Sequence, residues 1–176
     1  MNVDAQGPET QDWLDYFAYG SNMSRRRLAA RVPSIHWSGR ASLVDHRLVF
    51  HKVGRDGSGK CDVLPHAGER VYGVLYRLPA VHRPRLDRHE DLGRGYALHW
   101  VDVEREGSPP IRAFTYRALI HDAQLRPYPW YLRHVLQGAL ENRLPPAYIE
   151  MIAASSVVED PDGARQRREL AIYSDD

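Results

Sequence analysis

The sequence contains one cysteine, no long apolar run and no excess of one charge. Cys61 alone can form neither an intrachain disulfide nor a multi-cysteine zinc site, which fits a reducing cytoplasm. Charged residues soon interrupt every apolar run, so no segment predicts a membrane span. With 24 Lys and Arg against 23 Asp and Glu, the net charge of +1 gives no field that favours binding to nucleic acid or to a membrane surface. The composition predicts a cytoplasmic globular protein.

The chain has 176 residues, enough to bury a core of its own. Residues 1–12 are polar, lack the apolar stretch of a signal peptide and predict a flexible leader. Residues 13–158 carry the regular patterns and predict a single domain. Residues 159–176 are charged and aperiodic, and predict a loose tail.

The pattern of the central region predicts strands with helices inserted among them. Strands are predicted where β-branched and aromatic residues dominate between turns, at residues 13–19, 41–53, 69–78, 95–104 and 111–119. Helices are predicted at residues 24–32, 80–91, 130–142 and 145–154. In the third helix, Tyr131, Val135, Ala139 and Leu140 should share one side. The irregular order of elements indicates an α+β fold, with a mainly antiparallel or mixed, barrel-like sheet and flanking helices.

Two patterns that suggest ligand binding are better explained as surface features. GRDGSGK at residues 54–60 matches the phosphate-binding G-x-x-x-x-G-K, but Cys61 stands where that motif needs a hydroxyl, and no helix follows. We interpret it as a polar hairpin loop. None of the nine histidines belongs to H-E-x-x-H or has another histidine four residues away. The sequence therefore predicts no metal and no cofactor.

The sequence Tyr19-Gly20-Ser21-Asn22 stands between the first predicted strand and the first helix. A glycine at this point lets the backbone approach a ligand, and amides that lead into a helix favour an anion. Ser21, Asn22 or Ser24 could instead simply cap the helix, which is the more common role of such a junction. Ser21 could also be a nucleophile, but it lacks a G-x-S-x-G context and an identifiable histidine partner.

A second candidate is LDRHED at residues 86–91. Leu86 and Glu90 are four residues apart, so on a helix they share a face. If Leu86 points into the core, Glu90 is carried toward the interior near the helix end, where a carboxylate can act as a general base. Asp87 and Asp91 would lie on neighbouring, solvated faces. Taken alone, a helix-terminal acid is more often a surface charge.

Together, these motifs resemble the γ-glutamylcyclotransferase family. The likeness runs from Tyr16 to Ile152, and the landmarks YFAYGSNM, GVLYRL, LDRHE, PYPWY and ENRLPPAYIEMI keep the order and spacing of that family. The YGSN block followed by Met is closer to members that act on γ-glutamyl amino acids than to members that act on γ-glutamylamines or glutathione. The chain departs from the family at Asp91, where a glycine commonly follows the glutamate, and in a loop from Glu90 to Tyr96 that is one residue shorter.

The resemblance implies a mixed barrel with flanking helices and an enzyme that releases an amino acid or amine from a small γ-glutamyl substrate, with formation of 5-oxoproline. It implies that Glu90 is the catalytic acid and base and that no cofactor takes part. It also implies a homodimer as one arrangement, since some relatives form one. The residues that it assigns to substrate binding are Tyr16, Phe17, Ala18, Tyr19, Gly20, Ser21, Asn22, Tyr96 and Tyr131. Two other interpretations of the same residues remain: a non-catalytic module that binds a small acidic metabolite, and an amide hydrolase that uses Ser21.

Overall fold

The computed structural model describes residues 12–174 of the chain, so the predicted leader, apart from Asp12, lies outside the described residues. The strands are β1 (Trp13–Ala18), β2 (His36–Val53), β3 (Gly59–Pro79), β4 (Tyr96–Arg105) and β5 (Ser108–Ala118). The helices are α1 (Arg25–Arg31), α2 (Arg83–His89), α3 (Pro129–Glu141), α4 (Pro146–Ala153) and α5 (Gly163–Leu170). Short 3-10 turns occupy Ser21–Met23, Ala80–His82 and Ala171–Tyr173.

The five strands close into a barrel in the order β1-β3-β2-β4-β5. Four of the neighbouring pairs are antiparallel, while β5 meets β1 in parallel, where Tyr16 lies opposite Phe114. Closure leaves few unpaired strand edges. The predicted α+β fold with a mixed, barrel-like sheet and flanking helices is confirmed. The predicted strands and helices are all present, but β2 begins at His36 rather than at residue 41, and β3 begins at Gly59 rather than at residue 69.

The predicted hairpin loop at GRDGSGK is also confirmed, because it joins the long antiparallel strands β2 and β3. The Gly54 amide donates to the Ser58 carbonyl at 2.8 Å, and Gly57 has φ +82°, a conformation that favours glycine. The Lys60 ammonium, which a P-loop would offer to phosphate, donates to the Asp56 carboxylate at 2.8 Å. The structure thus accounts for the glycines of this segment without a nucleotide.

Helix α3 packs closely on the Ser21–Met23 turn. A Cβ on Gly138 would lie 2.5 Å from the Met23 Cβ and from the Ser24 amide nitrogen, so this contact requires glycine. One turn later, at the end of α3, the Asn142 side chain donates to the Met23 carbonyl at 3.1 Å. The prediction that Leu140 lies on the buried side of α3 is wrong: 53% of it is exposed, because a helix advances 100° per residue and Ala139 already faces the core.

The expectation of a loose tail from residue 159 is contradicted by α5 and the turn after it. Asp162 caps α5 by accepting from the Ala164 and Arg165 amides, and Asp160 accepts from the Trp130 indole nitrogen at 2.7 Å. Glu169 pairs with Arg27 of α1 at 2.8 Å, which ties α5 to α1. Polar contacts hold this segment, and hydrophobic periodicity therefore did not reveal it.

Among residues 12–174, no helix is long and apolar enough to span a lipid bilayer.

Candidate active site

A pocket with about 300 Å³ of empty space opens where the first strand, the turn after it and the end of α2 meet. We call it the inner pocket. Its lining comes from elements that are far apart in the sequence: Tyr16, Tyr19, Gly20, Ser21, Asn22, Cys61, Glu90, Tyr96, Tyr116 and Tyr131. Eight of the ten predicted site residues are therefore brought together here. Phe17 and Ala18 do not line the pocket, because they are buried in the barrel core opposite Leu75 and Val74.

Glu90 is held at the pocket by the YGSN turn and by α1. Its Oε1 accepts from the Asn22 Nδ2 at 2.9 Å and from the Arg31 Nη1 at 3.3 Å. Arg31 also donates to the Asn22 Oδ1 at 3.0 Å, so the three side chains form one network. The Glu90 side chain is 13% exposed, and Leu86, one turn before it, is fully buried. The predicted shared face of Leu86 and Glu90 is confirmed.

The hydrogen bonds at the C-terminal end of α2, where Glu90 is the cap residue, explain the conformation of Asp91 after it. The Leu92 amide donates to the Asp87 carbonyl at 2.9 Å, and the Asp91 amide donates to the Arg88 carbonyl at 3.2 Å. This is a Schellman motif, whose residue after the helix cap adopts the left-handed conformation and is usually glycine. Asp91 has φ +52° and takes that role, which aspartate tolerates better than most side chains. The helix end is therefore kept although the glycine is absent.

The tyrosines give the inner pocket a polar but neutral wall. Burial raises the pKa of Tyr16, Tyr19, Tyr96, Tyr116 and Tyr131, because water is excluded from the phenols. All five therefore keep their protons near neutral pH. Tyr19, Tyr96 and Tyr116 already donate theirs to the Tyr116 carbonyl, the Cys61 carbonyl and the Asp87 carboxylate.

Several of these phenols are fixed by backbone contacts. The Tyr96 hydroxyl donates to the Cys61 carbonyl at 2.7 Å, and the Tyr131 hydroxyl accepts from the Cys61 amide at 3.0 Å. Tyr19 donates to the Tyr116 carbonyl. Burial raises the pKa of the Cys61 thiol to about 12, so this thiol is not a nucleophile near neutral pH.

Gly20 lets the backbone of the turn lie directly against β3. A Cβ at this position would be 2.9 Å from the Cys61 Cβ and 3.5 Å from the Tyr131 hydroxyl. The close approach that the sequence assigned to this glycine is therefore made to a neighbouring strand and to a pocket tyrosine. Ser21 and Asn22 follow in the 3-10 turn, and both are buried. The cap of α1 is Ser24, which accepts from the Arg27 amide at 3.4 Å.

A second depression of about 670 Å³ adjoins the inner pocket and shares Ser21, Glu90, Tyr96 and Tyr131 with it. We call it the outer cleft. Basic side chains dominate its wall: Arg27, Arg31, Lys52, Arg55 and Lys60. The carboxylates of Asp56 and Asp91 also line it. Glu90 thus lines both the inner pocket and the outer cleft.

Sequence reasoning missed several residues of this site. Arg31 gave a signal, since it lies four residues after Arg27 and so on the same face of α1. No such signal marked Cys61, Tyr116 or Lys52. These residues lie on strands, and they reach the site only because the strands pair with partners far away in the sequence, which local patterns do not encode. Within residues 12–174, no group of three or more His, Cys, Asp or Glu side chains could hold a metal ion. The structure also shows no hydrogen bond from Ser21 to a histidine in this range.

Comparisons with known proteins agree with this architecture. A model of the AIG2-like family matches residues 70–152. The human protein named gamma-glutamylcyclotransferase is 30% identical over 157 residues, which cover 86% of this chain and 82% of that protein. The mouse protein of the same name is 30% identical over 84% of this chain and 81% of its own length. A solved structure described as a gamma-glutamyl cyclotransferase superposes with a TM-score of 0.85 at 25% identity, covering 92% of this chain and 99% of that one. The chain therefore belongs to the γ-glutamylcyclotransferase family of enzymes.

Proposed function

We propose that the chain converts a γ-glutamyl amino acid or amine into 5-oxoproline and the free amino acid or amine, with Glu90 as general acid and base. The observation that supports this most directly is the 2.9 Å hydrogen bond from Asn22 to the Glu90 carboxylate at the rim of the inner pocket. It joins the predicted acid–base group to the predicted substrate turn, although the two are 68 residues apart in the sequence.

The reaction is an intramolecular aminolysis, in which the α-amino nitrogen of the substrate attacks its own γ-carbonyl carbon. A C–N bond closes the five-membered lactam and the C–N bond to the leaving amine breaks. Because both reacting groups belong to one molecule, the enzyme must mainly fold the substrate and move protons. Glu90 takes the proton from the attacking amine and gives it to the departing nitrogen, so that one carboxyl group serves both steps.

The inner pocket suits the γ-glutamyl unit by its hydrogen-bond donors. The turn at Tyr19–Asn22 places backbone amides beside Glu90, where they can stabilise the α-carboxylate or the oxyanion of the tetrahedral intermediate. The hydroxyls of Tyr16 and Tyr131 accept hydrogen bonds from the Asn22 side chain and the Cys61 amide, so their own protons can be donated to the same oxygens. The fixed contacts of Tyr96 and Tyr131 with Cys61 hold this wall in place before substrate binds.

The test is Glu90→Gln, which keeps the shape of the side chain and removes its capacity to carry the proton. With γ-glutamyl-alanine as substrate, we expect kcat for 5-oxoproline release to fall by about 10²- to 10⁴-fold. Glu150→Gln, at an exposed position on α4, is the matched control and should retain full activity. Ser21→Ala should have a mild effect.

The products distinguish both alternatives. A module that only binds a small acidic metabolite would release neither 5-oxoproline nor glutamate. A hydrolase that uses Ser21 would release glutamate rather than 5-oxoproline and would be inactivated by Ser21→Ala. That result, or a fully active Glu90→Gln variant, would overturn the proposal.

A further inference from the structure

The sequence contains two lysines, Lys52 and Lys60, and both line the outer cleft. Lys60 is engaged, since it donates to Asp56 and to the Ser58 hydroxyl, each at 2.8 Å. Lys52 is 6% exposed and, among residues 12–174, its Nζ makes no hydrogen bond or ion pair. Its Nζ lies over the face of the Tyr96 ring, 4.8 Å from the ring centroid.

The other cations of the outer cleft have carboxylate partners. Arg27 pairs with Glu169 at 2.8 Å, and Arg31 reaches Glu90 at 3.3 Å. Arg55 pairs with Asp91 at 2.8 Å. Among the described residues, each of the other lysines and arginines of the outer cleft thus has a carboxylate within ion-pair distance, whereas Lys52 has none. Because Lys52 lines the outer cleft, its ammonium is open to an anionic group of a ligand that enters there.

Strand β2 is irregular at Lys52. The register of β2 against β3 shifts between Val49 and Lys52, and His51 and Lys52 are both buried, although successive strand residues normally alternate between the two faces. A bulge of this kind re-aims a side chain, often beside an active site. Burial lowers the pKa of Lys52, and the negative charges of Glu90 and Asp91 oppose this shift.

From this geometry we propose that Lys52 binds the α-carboxylate of the amino acid that leaves, and so selects γ-glutamyl amino acids over γ-glutamylamines. This inference rests on the proposed function. The inner pocket takes the γ-glutamyl unit, and Glu90 lines both cavities, where the scissile nitrogen needs its proton. The leaving group then extends into the outer cleft, and its carboxylate meets the unpaired ammonium over the Tyr96 ring.

The test compares γ-glutamyl-alanine with γ-glutamyl-ethylamide, which lacks only the carboxylate of the leaving group. In the unaltered protein, kcat/KM for 5-oxoproline release should be higher for γ-glutamyl-alanine by about 10-fold or more, the value of one charge-assisted hydrogen bond. Lys52→Met has a similar length and no charge. It should lower kcat/KM for γ-glutamyl-alanine by that factor and leave γ-glutamyl-ethylamide nearly unchanged, so that the preference disappears.

The control is Arg112→Met, an exposed cation on β5, which should leave both values unchanged. Equal kcat/KM values for the two substrates in the unaltered protein would overturn the inference without any variant, and so would a preference that survives in Lys52→Met or Lys52→Gln. In both cases 5-oxoproline is still released, and the proposed function stands. No 5-oxoproline from either substrate would overturn the proposed function together with the inference.

Discussion

At the scale of single residues, two backbone positions hold the site together. Asp91 takes the left-handed conformation that ends α2 directly after Glu90. Gly20 brings the YGSN turn against β3 because it has no Cβ. Neither residue needs to touch substrate in order to matter, since each sets the position of a group that we place in the reaction.

Gly20→Ala tests the close approach of the turn. The added Cβ would lie 2.9 Å from the Cys61 Cβ, which forces the turn or β3 to move. Overpacking of this kind costs about 1–3 kcal/mol of folding free energy, and we expect kcat/KM for γ-glutamyl-alanine to fall about 10-fold or more because a shift of the reacting groups is costly.

The matched control is Gly163→Ala at the start of α5, where the nearest atom to the new Cβ is 3.9 Å away. Its stability should stay within about 0.5 kcal/mol of the unaltered protein, as measured by urea denaturation. Full activity and stability in Gly20→Ala would show that the turn can move away from β3 without consequence.

At the scale of elements, α5 is anchored by charge rather than by an apolar face. None of its residues is buried, yet Glu169 reaches Arg27 of α1 and His134 of α3. Arg27 is 11% exposed and contributes to the outer cleft, so α5 fixes a wall of that cleft from behind.

Glu169→Ala should destabilise the protein, because it leaves the buried Arg27 guanidinium without its carboxylate. Breaking a buried pair costs about 3–5 kcal/mol, and the partial exposure of Glu169 reduces this, so we expect about 1–3 kcal/mol. Urea denaturation at pH 7.5 measures the change. Glu106→Ala, at an exposed turn between β4 and β5, is the control, and an equal effect of the two substitutions would contradict the anchoring role of Glu169.

At the scale of the whole molecule, His134 makes stability depend on pH. Burial lowers its pKa to about 4, and the nearby Arg27 acts in the same direction, while Glu169 opposes it. A histidine in the unfolded chain titrates near 6.5. Between about pH 6.5 and 4, the unfolded state therefore binds a proton that folded His134 does not, and the free energy of unfolding falls as the pH is lowered through this window.

We expect urea denaturation at pH 7.5, 6.0 and 5.0 to show this loss, and His134→Gln to have a smaller slope than the unaltered protein. Burial also lowers the pKa of His89 and His99, so the difference between the slopes isolates His134. His66→Gln, at an exposed site, should keep the full slope. The same slope in both variants would assign the pH dependence to other groups.

Local patterns in the sequence determined most of the elements of this protein. Alternation and β-branched residues predicted the strands, and i, i+4 spacing placed Leu86 and Glu90 on one face, because these signals depend on neighbours along the chain. The YGSN and LDRHE blocks supplied the family and the two halves of the site.

Tertiary structure decided how those halves meet and what surrounds them. Closure of the barrel, the approach of Asn22 to Glu90 and the bulge that buries Lys52 depend on pairing between residues far apart in the chain. The sequence patterns do not encode such pairing locally, because each partner is chosen by the packing of the whole sheet. The polar anchoring of α5 escaped prediction for a related reason, since an ion pair such as that of Glu169 with Arg27 leaves no periodic trace in the sequence.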